Sequence, residues 1–267
     1  ERPGFGTLAE SVSGFAHMNG PADGPPILPP VALADEVTAL LGAYAVMVAL
    51  YRRDAGPRGE RGRGQVIDLS LFESLFGILG PIPAVHATLG IVPGRLGNAI
   101  PYAAPRGAYP TKDGRWVGVS GTSQTVAARI FSAIGRPELI EDPRFATNEA
   151  RVRHREDLDR IIEAWTKERS LQEVLDVFER AHAAAAPIYD IGQILQDPQY
   201  EARGTMVTVR DGELGEVTLA DVQPRLSETP GRIRHAGLPK GSSNAEVNAE
   251  LGLSGTEMAT LRDEGVL

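Results

Sequence analysis

Apolar positions along the first twenty residues, Leu8, Val12, Phe15 and Met18, recur at near-helical spacing. A loop follows at Gly20-Pro21-Ala22-Asp23-Gly24-Pro25-Pro26, and Pro29 with Pro30 closes it. Val31-Ala32-Leu33-Ala34 then reads as a short strand-like stretch running into Asp35. From Glu36 to about Arg53, Leu40, Leu41, Tyr44, Met47, Val48 and Tyr51 return every three or four residues. This predicts a long helix, apolar nearly all round and therefore expected to be buried. The basic, glycine-rich turn from Gly56 to Gly64 stops it. Gln65 to Ser70 reads as a short strand or a lead-in to a helix, and Leu71 to Leu79 as a second apolar helix.

Residues 80–105 hold five prolines and the turn Gly94-Arg95-Leu96-Gly97-Asn98, which makes 86–105 the expected linker. The pattern then changes. Gly107 to Ser120 predicts a hairpin about the Asp113-Gly114 turn. Leu158, Ile161, Ile162 and Trp165 form one amphipathic face, and Leu171, Val174, Leu175 and Phe178 the next. Thr205–Val209 and Glu216–Ala220 predict a second hairpin. Two short helices end the chain, with capping-box signals at Ser243 with Glu246 and Ser254 with Glu257. There is no internal repeat.

Composition narrows the function. Of 267 residues, 42% are hydrophobic and 23% charged, ordinary for a globular protein. The net charge of −8 argues against nucleic acid as the main partner, because phosphate binding needs clustered Lys and Arg. Cysteine is absent, which excludes disulfides, thiolate metal sites and cysteine nucleophiles. That is compatible with a reducing compartment, and a cytoplasmic location is expected. The longest apolar run, Val37 to Leu50, is about fourteen residues, short of the roughly 20 a membrane span needs, so no membrane partner is expected. The opening Glu1-Arg2-Pro3-Gly4-Phe5-Gly6 lacks the features of a signal peptide and reads like the middle of a chain.

Candidate chemistry is sparse. His17, His86, His154, His182 and His235 are scattered, with no two at metal-ligand spacing, so no metal site is expected. Gly62-Arg63-Gly64 and Gly118-Val119-Ser120-Gly121 are too short for dinucleotide fingerprints. Asp68 and Glu73 read as caps or surface residues. Asp35 stands out because it opens the long apolar helix. It can be a helix N-cap. Equally, a carboxylate at a helix N-terminus is favoured as the anion, and an ionised carboxylate can act as a nucleophile. The two readings are compatible, and pattern alone goes no further.

Four ordered segments resemble the family III CoA-transferases, the group typified by formyl-CoA transferase and the carnitine CoA-transferases. They are Arg2-Pro3-Gly4-Phe5 with Ser13-Gly14; Pro30-Val31-Ala32-Leu33-Ala34-Asp35 running into the apolar helix; Gly62-Arg63-Gly64-Gln65-Val66-Ile67-Asp68-Leu69-Ser70-Leu71; and a distal set. The distal set runs from Asp113-Gly114-Arg115-Trp116-Val117 through Ile134-Gly135-Arg136-Pro137, Asp142-Pro143-Arg144-Phe145, Ala186-Pro187-Ile188-Tyr189 and Asp197-Pro198-Gln199 to Arg203-Gly204. Any one segment is weak; the ordered set is strong.

The resemblance implies that Asp35 is the nucleophile of a transfer of CoA from an acyl-CoA to a small carboxylic acid, through an aspartyl-CoA thioester. Coenzyme A is then a substrate, and no further cofactor is implied. Phe5, Gly6 and Ala34 fall at substrate- or CoA-binding positions. Ser120-Gly121-Thr122-Ser123 is the candidate for the family's mobile active-site loop, the other reading being an ordinary strand-to-helix turn. The implied fold is α/β, a Rossmann-like large domain, incomplete here, with a smaller α+β domain. Residues 1–85 would be a large-domain segment, 86–105 the linker, 106–195 the small domain and 196–267 a return to the large domain. The family's upstream Rossmann-like half is not represented. The expected partner is a second copy in an interlocked dimer, or a chain carrying the N-terminal half. A racemase of the same fold is the alternative enzyme, disfavoured because Phe5 stands where that branch has histidine; a non-catalytic subunit is the other alternative.

Overall fold

The computed structural model describes residues 3–57 and 61–266. They form two compact units that divide between Ile188 and Tyr189. This division is coarser than the four segments read from the sequence.

The first unit begins with helices. α1 (Gly6–Val12) and α2 (Phe15–Met18) carry the apolar positions seen in the sequence. α3 (Leu33–Ala55) starts three residues after the Pro29-Pro30 pair and ends before Gly56-Pro57, where proline cannot continue a helix. Asp35 and Glu36 lie in its first turn and Arg52 and Arg53 in its last, each the charge that the helix dipole favours at that end. α4 (Leu71–Gly77) is capped by Ser70, whose side chain accepts from the Glu73 backbone N–H, so Glu73 is part of a cap as expected. α5 (Ile82–Leu89) has Pro83 in its first turn, a position where a missing N–H costs nothing.

Several expectations need correction. Val31-Ala32 is not a strand: α3 already begins at Leu33, and Asp35 is the third residue of its first turn with Ala32 as N-cap. Of the two readings for Gln65–Ser70, the lead-in to a helix holds: the run carries no assigned strand and ends at Ser70, the N-cap of α4. The linker region holds the end of a helix, α5, because prolines in a first turn allow one. The largest correction concerns α3, which was expected to be buried. Leu40, Tyr44, Met47 and Tyr51 are 73, 69, 63 and 75% exposed. A helix apolar on every side needs neighbours on every side, and the described residues cover α3 along one edge only. There Ala34, Ala9 and Leu75 form a small core, with Phe15, Leu33 and Leu71 packed around it. By length and composition α3 could also cross a bilayer; the same composition serves a helix covered by other protein.

The remainder of this unit is a better-filled layer of sheet and helices. β1 (Arg106–Pro110) and β2 (Trp116–Ser120) form the expected hairpin, and β3 (Ala185–Pro187) joins antiparallel on the far side of β2. Against the sheet lie α6 (Gln124–Ala133), a 3₁₀ turn at Pro137–Ile140, α7 (Asn148–Arg153), α8 (Arg155–Thr166) and α9 (Leu171–Arg180). The core is Tyr109, Val117, Val119, Ile130, Phe131, Phe145, Leu158, Ile162, Val174 and Phe178. Leu158 and Ile162 of α8, and Leu171, Val174 and Phe178 of α9, are the inward face that the 3.6-residue period assigned.

Three polar side chains of α7 and α8 hold the chain that leads into β1. Arg151 is fully buried; its Nε donates to Ala104 O at 2.6 Å and its Nη1 to Gln124 Oε1 at 2.7 Å. Asn148 Nδ2 donates to Tyr102 O at 2.8 Å, and Arg155 Nη2 to Ile100 O at 2.8 Å. Carbonyls in a proline-rich run have no ladder to join, and these donors satisfy them.

The second unit holds α10 (Ile191–Ile194), α11 (Pro198–Ala202), the hairpin β4 (Met206–Asp211) with β5 (Gly215–Ala220), α12 (Asn244–Glu250) and α13 (Gly255–Asp263). The hairpin is the expected one, its turn held by the Asp211 carboxylate accepting from the Glu213 and Leu214 backbone N–H groups. The Ser254–Glu257 capping box forms at α13. At Ser243 none forms, because its αR backbone turns the side chain away from the capping geometry.

Candidate active site

The α1–α3–α4 contact places Asp35. Ala34 is fully buried with Ala9 and Leu75, so the next residue on the helix, Asp35, is turned outward and exposed. Asp35 lines a cavity of about 540 Å³ with Phe5, Gly6, Thr7, Glu10 and the loop from Leu28 to Ala32. Three of the sequence-predicted residues, Phe5, Gly6 and Asp35, therefore meet at one site. Ala34 does not line it; its side chain is core, and its backbone N–H donates to Glu10 Oε1 at 3.4 Å.

Asp35 rests directly on the backbone of Gly6. A Cβ on Gly6 would stand 2.0 Å from Asp35 Oδ2 and 3.1 Å from its Cγ. This close approach, rather than backbone strain, is what requires glycine there. Among the described residues no hydrogen bond or ion pair engages the Asp35 carboxylate. It sits in the first turn of a 23-residue helix.

Ser120, Gly121 and Thr122 do not line the Asp35 cavity. Ser120 borders a different one, of about 430 Å³, against β1, β2 and β3. Gly121 is buried, and its N–H donates to Pro105 O at 2.8 Å. Ser123 caps α6 by accepting from the Val126 N–H. In this arrangement the segment is tied at both ends, and only Thr122 between them is exposed and unanchored.

Sequence reasoning missed Glu10, a buried carboxylate beside the candidate nucleophile. The spacing of Leu8 and Val12 pointed to the opposite side of α1: those two are exposed, and the helix buries Ala9 and Glu10 instead. His17 and His86, distant in sequence, border one largely apolar cavity with Phe76 and Leu79. Among the described residues no cluster of His, Asp and Glu could hold a metal ion.

The strongest shifts in ionisation lie elsewhere. Tyr109 OH donates to Asp159 Oδ1 at 2.6 Å. Burial, then the Asp159 charge, pushes the Tyr109 phenol up, and burial raises the Asp159 carboxyl. This pair braces β1 against α8 in the core.

Comparison with known proteins supplies what geometry alone does not. The sequence model of CoA-transferase family III matches residues 1–244. Succinyl-CoA–D-citramalate CoA-transferase of Chloroflexus aurantiacus is 33% identical over 100% of this chain and 65% of its own length. The beta subunit of succinyl-CoA–L-malate CoA-transferase from the same organism is 34% identical over 100% of this chain and 66% of its own. A crystal structure of a CAIB/BAIF family protein from Brucella suis superposes with a TM-score of 0.76 at 28% identity, covering 94% of this chain and 64% of that one. The chain thus spans 65% and 66% of the two curated relatives it resembles.

Proposed function

The chain belongs to CoA-transferase family III, and on that premise we propose that it moves CoA from an acyl-CoA to a small carboxylic acid with Asp35 as the nucleophile. The observation that carries this is the Asp35 carboxylate itself, exposed, unpartnered among the described residues, and facing a cavity with Phe5 and Gly6.

The steps balance without a net proton. An Asp35 Oδ attacks the thioester carbonyl carbon, the C–S bond breaks, and CoA leaves as the thiolate, giving a mixed anhydride. The thiolate attacks the aspartyl carbonyl, the anhydride C–O bond breaks, and the donor acid leaves as its carboxylate. Asp35 now carries CoA as a thioester. The acceptor carboxylate attacks that carbonyl and expels the thiolate, which then attacks the acceptor's carbonyl and frees Asp35. Each step exchanges one activated acyl bond for another, so the thioester energy is retained. Backbone N–H groups stabilise the oxyanions.

A dicarboxylyl-CoA such as succinyl-CoA is the proposed donor, as the names of the two Chloroflexus relatives state for those proteins. Phe5 and Gly6 form the wall of the acyl site, with Ala34 holding Asp35 from behind. Ser120, Gly121 and Thr122 shield the intermediate after a rearrangement of that segment. Coenzyme A is substrate rather than resident cofactor. The four-segment organisation, with 1–85 and 196–267 in a large domain and 106–195 a small one, belongs to the same reading. The partner is a second copy or a chain carrying an upstream segment. A cytoplasmic location, with no membrane or nucleic-acid partner, is part of the same proposal.

Intact-mass analysis of the native assembly after incubation with succinyl-CoA, followed by peptide mapping, tests the mechanism. A CoA or hydroxylamine-trapped adduct on Asp35 is expected, absent in Asp35→Asn. An assembly that turns over without an adduct on Asp35 would rule the mechanism out, and an assembly without turnover would leave a non-catalytic subunit.

A further inference from the structure

Glu10 has no part in the reaction just described, yet it sits at the site. The side chain is 3% exposed. Burying a carboxylate is costly unless it is hydrogen-bonded or paired, and among the described residues no cation pairs with Glu10. Its one bond is from the Ala34 N–H to Oε1, at 3.4 Å.

That N–H is one of the donors that the first turn of a helix leaves without an intrahelical acceptor. α3 has no side-chain cap of its own. Its chain satisfies the neighbouring donors itself, Val31 O accepting from Leu33 N and Ala32 O from Glu36 N. Glu10 reaches across from α1 and supplies the acceptor between them. An anion is also the group that the N-terminal end of a 23-residue helix favours. The same short helix contributes Gly6, on which the Asp35 carboxylate lies. α1 therefore grips the start of α3 at two points flanking Asp35: Gly6 under its side chain and Glu10 on the backbone of the residue before it.

We propose that Glu10 is a positioning residue for Asp35: its buried carboxylate, by taking the Ala34 N–H, fixes the first turn of α3 so that the Asp35 oxygens face the cavity above Gly6. This rests on the reading of Asp35 as nucleophile. A group that only stabilised the helix would change the melting temperature and leave the reaction of each folded molecule alone. A positioning group changes the reaction, because a misplacement of about 1 Å can cost on the order of 10²-fold in rate.

The test compares Glu10→Ala, Glu10→Gln and Ser13→Ala in the native assembly. Ser13 donates to the Glu10 backbone carbonyl and lies outside the Asp35 cavity, so its loss perturbs α1 without touching the proposed contact. The readouts are the single-turnover rate of adduct formation on Asp35 at saturating succinyl-CoA, the concentration giving half that rate, and hydrogen exchange at the Ala34 amide. Glu10→Ala should slow adduct formation by about 10- to 100-fold, leave the half-saturating concentration unchanged and deprotect Ala34. Glu10→Gln retains a carbonyl acceptor and should recover most of the rate and the protection. Ser13→Ala should lower the melting temperature at an unchanged rate. Wild-type rates in Glu10→Ala, or a Gln variant as slow as the Ala variant, would overturn the inference. Absence of an adduct in the wild type would instead overturn the nucleophile reading, and this inference with it.

Discussion

Asp35 and Gly6 illustrate how much rests on one missing methyl group. A Cβ at position 6 would meet Asp35 Oδ2 at 2.0 Å, and the cheapest relief is rotation of the Asp35 side chain, which no hydrogen bond opposes among the described residues. Gly6→Ala should therefore fold with a melting temperature close to wild type and, under the proposed mechanism, lose turnover by about 10-fold or more, since Asp35 is moved rather than removed. Steady-state kinetics beside a thermal melt checks this; full activity in Gly6→Ala would show that Asp35 does not react from the position seen. Asp113 is a second residue whose contacts predict behaviour. The Thr111 hydroxyl, then the backbone N–H of Leu171, holds its carboxyl below the ordinary value of 3.8. A carboxyl depressed in the folded state adds stability above its unfolded pKa and loses it as pH falls through the folded one. The melting-temperature advantage of wild type over Asp113→Asn should be full above pH 3.8 and shrink below it. An advantage that persisted unchanged at lower pH would mean the charge is not what bonds Leu171.

Among the elements, α9 is the one whose sequence and structure agree most closely. Ser170 and Glu173 form a capping box, and Leu171, Val174 and Phe178 point into the core. Phe178 packs on Trp165 of α8 with ring centroids 5.7 Å apart. Phe178→Ala should cost about 3–5 kcal/mol in urea unfolding, followed through Trp165 fluorescence; a loss under about 1 kcal/mol would show that the core closes over the gap. α7 is the opposite case. The sequence pattern singled out no helix there, and nothing in it announces that Arg151 would be buried against Ala104 and Gln124. A guanidinium inside a core is visible only once the oxygens it serves are placed, and these come from Ala104, Gln124 and Phe145, spread along the chain before it.

At the scale of the whole molecule, several large apolar side chains of α3 and α4 stand exposed. Leu40, Tyr44, Met47 and Tyr51 lie along the open side of α3, with Phe72 and Phe76 also exposed on α4. Exposed contiguous apolar surface of this kind marks an interface. Sedimentation at micromolar concentration should show an assembly, and Tyr44→Glu with Met47→Glu should dissociate it while the near-ultraviolet circular dichroism of the 106–188 layer persists. A monomeric wild type would refute the expectation. The cavity that Asp35 lines lies at the start of the same helix, so under the proposed mechanism the dissociated form should also lose turnover.

What the sequence by itself determined was local. Both hairpins, the amphipathic faces of α8 and α9, the capping box of α13, and the prominence of Asp35 rest on residues near one another in the chain, whose turns and periods are set by short-range sterics and hydrogen bonds. The ordered motifs also carried the family, because a set of weak local signals in a fixed order is specific together. The tertiary structure decided what depends on distant pairings. It made Ala34 a packing residue beneath Asp35, brought Glu10 to the start of α3, tied Gly121 to Pro105, and left open the side of α3 that periodicity assigned to a core. An all-round apolar helix declares that it must be covered, but hydropathy carries no address for the cover. Burial is a property of the neighbours, and only the folded arrangement says which of them are there.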